Sequence, residues 1–327
     1  MRARRVARAA IAAAFLAVAT VARADTPPAS PDESDAPPAP ASASPADATP
    51  AGPTSADEEG WDRWKEVFGS GRLLATGGVT QVEGSAGGGL VPWAVLAGYG
   101  SENQIGGTAF YTRLSAEDLM IQAYGGALSF LQRVEISAAG QTADLGGPIH
   151  EDVSQVIFGA KVRLFGDLVY TPWPTVALGV QYKRNLDYSI PESLGSRHRE
   201  DADFYLAASK VFLNGLFGFP VLLNTTVRAT RANELGLLGF GGPHQNEYEP
   251  MFEGSALLFF TRHLAIGGEF RQKPQNLRTV DEDNWADAFL AVFINKHLSL
   301  VGGYVRMGDV AVWQNQDSYY LNVQAGF

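Results

Sequence analysis

Tyr319-Tyr320-Leu321-Asn322-Val323-Gln324-Ala325-Gly326-Phe327 is the stretch on which the fold turns. Successive side chains of an extended strand point to opposite faces, so Tyr319, Leu321, Val323, Ala325 and Phe327 share one face. Asn322, Gln324 and Gly326 share the other. One face is apolar and the other polar. A single edge strand of a soluble sheet has the same look, so the rest of the chain decides.

Upstream, the same period of two recurs. Val176, Leu178, Val180 and Tyr182 oppose Thr175, Gln181 and Lys183. Val156, Phe158, Ala160, Val162 and Leu164 oppose Gln155, Lys161 and Arg163; Val221, Leu223, Thr225 and Val227 oppose Asn224, Thr226 and Arg228. Leu264, Ile266 and Phe270 oppose Glu269 and Arg271. Fourteen candidate strands follow: 74–82, 91–100, 104–113, 118–126, 128–138, 153–166, 174–184, 202–213, 219–231, 250–261, 263–272, 284–294, 297–307 and 317–327. A wall with lipid on one side and water on the other requires this alternation.

The connections sort by side. Arg262-His263, Asn295-Lys296, Asn214 to Gly218 and a pinch near Ala127 are short. The alternate connections from the fifth strand on are long: 139–152, 185–201, 232–249, 273–283 and 308–316. Short turns on one side and long loops on the other is the arrangement of outer-membrane barrels, the short side facing the periplasm. The expected fold is therefore all-β: a transmembrane antiparallel up-and-down barrel over residues 73–327, with both termini in the periplasm. Fourteen strands meet the even number that such barrels show. Twelve, with residues 72–100 as a plug or lead-in, fit the same loops. Tyr319, Leu321, Val323, Ala325 and Phe327 then resemble the terminal strand that such barrels present to the barrel assembly machinery.

The other end of the sequence sets the compartment. Arg2, Arg4, Arg5 and Arg8 precede the apolar stretch Ala9 to Val21, and Ala22-Arg23-Ala24 is a small-x-small cleavage site. Residues 1–24 are read as a secretory signal peptide, since the apolar stretch is too short for a membrane span. Residues 25–60 hold nine of the 18 prolines and eight acids without one Lys or Arg. Such a segment buries too little apolar surface to offset its ordering entropy and is expected to be disordered. In residues 61–72, Trp61, Trp64 and Phe68 share one helical face, a short amphipathic lead-in or plug.

Composition excludes several chemistries. The chain has no cysteine, which removes disulfides, thiolate metal centres and cysteine nucleophiles. Loss of residues 1–24 removes five arginines and no acid, taking the net charge from −10 to −15. An acidic exported chain is a poor nucleic-acid binder. No G-x-S-x-G occurs; Glu83-Gly84-Ser85-Ala86-Gly87 only looks like one. His150, His198, His244, His263 and His297 lack metal-site spacing. Asp281-Glu282-Asp283 fits a solvated acidic loop better than a cation site, and Gly236 to Gly242 reads as a flexible apolar loop tip. No enzyme, metal or cofactor is expected.

Two sets of basic residues stand out instead. Arg113, Arg184, Arg231 and Arg306 end upward strands with outward parity, where a guanidinium near the interface costs about 0–1 kcal/mol. They are placed to bind lipopolysaccharide phosphates, or are ordinary rim charges. Arg133, Lys161, Arg163, Lys183, Arg228 and Arg271 have inward parity and outnumber Glu135, Glu253 and Glu269. They make either an anion-favouring lumen or a network paired within the barrel, Arg133 with neighbours of Glu135 and Glu269 with neighbours of Arg271.

The stretches Gly71 to Thr80, Lys161 to Gly166, Gln181 to Asn185, Arg228 to Asn233, Gly236 to Gly242 and Arg271 to Pro274 resemble a proteobacterial domain-of-unknown-function family, number 3034. The similarity covers residues 71–327. It implies an exported protein and supplies no activity or functional residues. The functional expectation is an outer-membrane, porin-like passive channel for small hydrophilic solutes, anionic ones included. The alternative is an occluded structural barrel that binds lipopolysaccharide or an envelope partner without transport.

Overall fold

The computed structural model describes residues 72, 74–146, 151–278, 282–310 and 313–327. The expected signal peptide and proline-rich tail, with nearly all of the 61–72 lead-in, lie outside the described residues. Two two-residue strands, β1 (Val79–Thr80) and β2 (Ala86–Gly87), pair with each other apart from the wall, and Gly87 also bridges to Pro92. Twelve longer strands follow: β3 (Ile105–Ser115), β4 (Leu119–Phe130), β5 (Val134–Leu145), β6 (Glu151–Phe165), β7 (Thr175–Asn185), β8 (Glu200–Phe212), β9 (Val221–Thr230), β10 (Glu249–Thr261), β11 (Leu264–Arg271), β12 (Trp285–Phe293), β13 (Leu298–Val310) and β14 (Trp313–Gly326). Each pairs antiparallel with the next. β14 returns to β3, with Tyr319 opposite Ser115 and Gly326 opposite Thr108, and the barrel closes. Closure leaves no strand edge with unpaired backbone groups.

The alternation read from the sequence sets which side each residue faces. Along β7, Ala177, Gln181, Lys183 and Asn185 are buried inside, while Leu178, Tyr182 and Arg184 point out. Along β14, Tyr319, Leu321 and Val323 are exposed, and Asn322 and Gln324 are buried. Phe158, Leu178, Phe204, Leu206, Leu223, Phe252, Ile266 and Leu321 belong to an exposed apolar belt around the wall. A soluble monomer rarely exposes a contiguous apolar surface of this extent.

The first two expected strands are not wall strands. Residues 74–82 and 91–100 lie inside the cylinder, and residues 77–100 are buried without a break. A wall strand must offer lipid one apolar parity. Thr80, Gln81, Glu83 and Ser85 put polar groups on both parities, so this stretch belongs among polar partners in the lumen. The barrel has twelve strands, the smaller of the two counts that the loops allow.

Three connections also differ. Ala127 sits within β4, and the turn falls at Leu131–Arg133, where Leu131 and Gln132 adopt positive φ. The expected loops 139–152 and 308–316 are largely strand, in β5, β6, β13 and β14. Their polar residues suit a tall wall: Gln141 and Gln316 are buried on the inner face. Long connections do fall on one side, at 186–199, 231–248 and 272–284.

Candidate functional site: a lumen closed from both ends

Residues 74–100 enter from the short-turn end, where Tyr99 donates its backbone N–H to the Phe327 carbonyl at 2.8 Å. They form a hairpin. Gln81 and Ser85 close its tip, and Gly84 takes a φ of +98° that a side chain would strain.

A backbone held away from water needs partners for its polar groups, and so short a ladder supplies few. The wall supplies the rest. Glu135 accepts from the backbone N–H of Ala86 and Ala97. Lys161 donates to the carbonyls of Ala86 and Val95 at 2.9 and 2.8 Å. Glu269 accepts from Leu90 N–H and Trp93 Nε1, Ser209 from Ala94 N–H, and Thr226 donates to the Pro92 carbonyl. Gly88 packs so closely on the Glu269 carboxylate that a Cβ there would collide with it.

At the hairpin tip Glu83 meets three cations of the wall. Arg271 on β11 binds it through Nη1 to Oε2 at 2.7 Å and Nη2 to Oε1 at 3.0 Å. Lys183 on β7 pairs with Oε1, and Arg228 on β9 approaches Oε2 at 3.5 Å. Asp203 and Glu253 complete the cluster: Lys183–Asp203 at 2.6 Å, Arg228–Glu253 at 2.6 Å and Arg271–Glu253 at 3.3 Å. All six side chains are at most 3% exposed, so the pairing is satisfied only while Glu83 stays in place.

The long-loop side carries a second closure. Residues 232–242 fold inward as a lid, with Leu235, Leu237, Leu238 and Phe240 buried. Gly236 to Gly242 is thus a packed cap and not a free loop tip. Phe240 donates its backbone N–H to the His198 carbonyl, and Asn276 donates to Asn233 Oδ1, so three long loops interlock. Glu234 accepts from Lys273 Nζ at 2.6 Å, and its backbone N–H donates to Glu282 Oε2 at 2.8 Å. Glu282 is consequently buried rather than solvated. Burial first, then the neighbouring Glu234 carboxylate, pushes its carboxyl up to about 8. The Leu235 carbonyl accepts from Lys183, which links lid to plug. Asp281 and His150 lie outside the described residues.

Of the inward basic residues, Lys183, Arg228 and Arg271 converge on Glu83, and Lys161 pairs with Glu135 at 3.2 Å. Arg163 sits half-buried near the short-turn end, donating to Gln132. Arg133 does not line the lumen. The positive-φ turn before it breaks the alternation and leaves it exposed, donating to the Leu164 carbonyl. Glu269 does not pair with Arg271, which is taken by Glu83 and Glu253. The surplus of positive charge read along the strands is offset by acids that the count omitted, Asp203 in the wall and Glu83 in the plug.

At the outer rim, Arg113 and Arg306 are exposed, and Arg184 pairs with Glu200 at 3.1 Å. Arg231 is engaged by Asp201, the Asn246 carbonyl and the Tyr248 ring. A cavity of about 230 Å³ opens near the base of the plug, lined by Arg72, Gln132, Arg163, Asp167 and the segment Ala94–Leu96. Arg72 there donates to the carbonyls of Leu96, Gly98 and Thr76.

A family model described as "Protein of unknown function (DUF3034)" matches residues 76–324. None of the curated proteins matches. Among solved structures, the KdgM porin is 11% identical, with 67% of this chain and 99% of that chain covered and a TM-score of 0.44. The NanC porin is 10% identical over 67% and 98%, TM-score 0.44. Outer membrane protein Omp33 of Acinetobacter baumannii is 10% identical over 68% and 97%, TM-score 0.42. Similarities this low transfer no solute and no residue role.

Proposed function

We propose that this chain, which belongs to the DUF3034 family of proteins of unknown function, is a porin-type barrel of the bacterial outer membrane that its own residues 74–100 hold closed. The exposed apolar belt, the polar interior and the long loops gathered on one side support a membrane wall. Export through a cleaved signal would place both termini in the periplasm, with the β14 face as the assembly signal. The chain is read as a non-enzymatic conduit for small hydrophilic solutes, conducting only when the plug leaves its seat.

The observation that carries this reading is Glu83 seated among Lys183, Arg228 and Arg271. A hairpin that merely lay in the pore would not need a buried carboxylate matched to three wall cations. The test is planar-bilayer recording of the full chain. Wild type should be nearly silent at low voltage, and Glu83→Gln, which removes the tip's charge, should open frequently. Steady wild-type conductance equal to that of Glu83→Gln would contradict closure. Silence in both proteins would instead favour the occluded barrel that serves the envelope without transport.

A further inference from the structure

The seat of Glu83 is built by the wall and not by the plug. Lys183, Arg228 and Arg271 come from β7, β9 and β11, and their anchors Asp203 and Glu253 come from β8 and β10. If the plug withdraws, these side chains stay, with three cations facing two carboxylates. Arg271 is left with an open fork of the shape that receives a carboxylate bidentately. One polar atom beside the seat points to a further acceptor. Gln181 accepts from Arg228 Nη1 at 2.7 Å, yet its own Nε2 is buried with no acceptor among the described residues. Arrival from the long-loop side meets the Leu235 carbonyl over Lys183 first, so lid and seat respond to the same event.

We infer that Glu83 is an internal stand-in for the ligand: the seat is a carboxylate-recognition site, and a carboxylate-bearing solute opens the pore by competing with Glu83 for Lys183, Arg228 and Arg271. The inference rests on the closed reading above and names the solute class that would release it. It differs from a general positive lumen. A positive wall attracts any anion in proportion to charge, whereas this seat offers one planar fork and two flanking donors at a fixed place.

The experiment exploits a chain without cysteine. Val91 lies in the plug and is fully buried, so Val91→Cys reports plug displacement through its rate of labelling by a bulky membrane-impermeant maleimide. Ala97→Cys, equally buried, serves if the first variant fails to fold. The full chain is assayed in lipid vesicles with citrate as probe against sodium chloride of equal ionic strength. Citrate should accelerate labelling about tenfold and saturably. Glu83→Gln in the same background should label fast without citrate and change less than twofold on its addition. Equal rates in citrate and chloride, with Glu83→Gln still fast, would overturn the carboxylate site and leave the closed barrel standing. Fast labelling of the reporter protein without any addition would overturn the closed reading itself, and slow labelling of Glu83→Gln would overturn Glu83 as the group that a carboxylate displaces.

Discussion

Individual residues hold the lumen shut through pairings that only the folded chain reveals. Lys161 carries two plug carbonyls and neutralises Glu135, all within the barrel. Replacing it with Met strands a buried carboxylate and leaves both carbonyls without that donor. Breaking a buried pair on one side costs about 3–5 kcal/mol. Lys161→Met should therefore unfold at distinctly lower denaturant concentration in detergent or lipid, followed by heat-dependent gel migration; an unchanged midpoint would mean that the plug does not depend on this contact. The inward parity of Lys161, Lys183, Arg228 and Arg271 was legible from alternation alone. Their partner was not. Glu83 stands in a glycine-rich stretch with no period, where its only sequence signal was a spurious resemblance to a hydrolase elbow. A charge matched across 100 residues, as Glu83 is to Lys183, has no local signature.

Among the elements, the wall strands were legible and the interior was not. β7, β9 and β14 announce themselves because lipid and water impose opposite demands on alternate residues. Residues 77–100 are buried against the wall's inner side chains and against one another, so no pattern of that kind is imposed on them. The lid poses the same problem, since the glycines of Gly236 to Gly242 suggest freedom while the leucines between them are packed. Its chemistry makes a pH prediction. Glu282 faces Glu234 and Lys273, and its carboxyl is raised from 4.5 to about 8 by burial and by Glu234. A carboxyl raised on folding binds its proton more tightly in the folded state. Its support for the lid is complete below the unfolded value and is lost as pH rises through about 8. Hydrogen exchange in residues 232–242 should thus quicken between pH about 5 and 9 beyond the intrinsic chemical trend. Glu282→Gln should flatten that excess; a wild-type lid whose protection is constant with pH would refute the role given to Glu282.

At the largest scale the described residues form a closed cylinder with an apolar outside. Leu206 lies midway along β8 and points outward, about half exposed. An arginine near mid-membrane costs about 2–4 kcal/mol on such a face, falling to about 0–1 at the rim. Leu206→Arg should therefore lose stability in lipid by about that amount, measured by reversible denaturation from vesicles. No loss would place the face in water. The rim arginines belong to the same scale: we propose that the outward Arg113, Arg184 and Arg306 contact lipopolysaccharide phosphate, with Arg231 contributing less because Asp201 already holds it. Changing all four to Gln should lower lipopolysaccharide co-purification, and equal bound lipid would remove the proposal. The claim on which the rest depends is that residues 74–100 lie in the lumen and form no part of the wall. A photo-crosslinking amino acid in place of Trp93, whose indole reaches Ser255 at 2.8 Å, tests it most directly. Crosslinks to the Ser255–Glu269 region of β10 and β11 are the predicted result. Crosslinks to lipid, or to residues 104–113 as a strand neighbour, would contradict it.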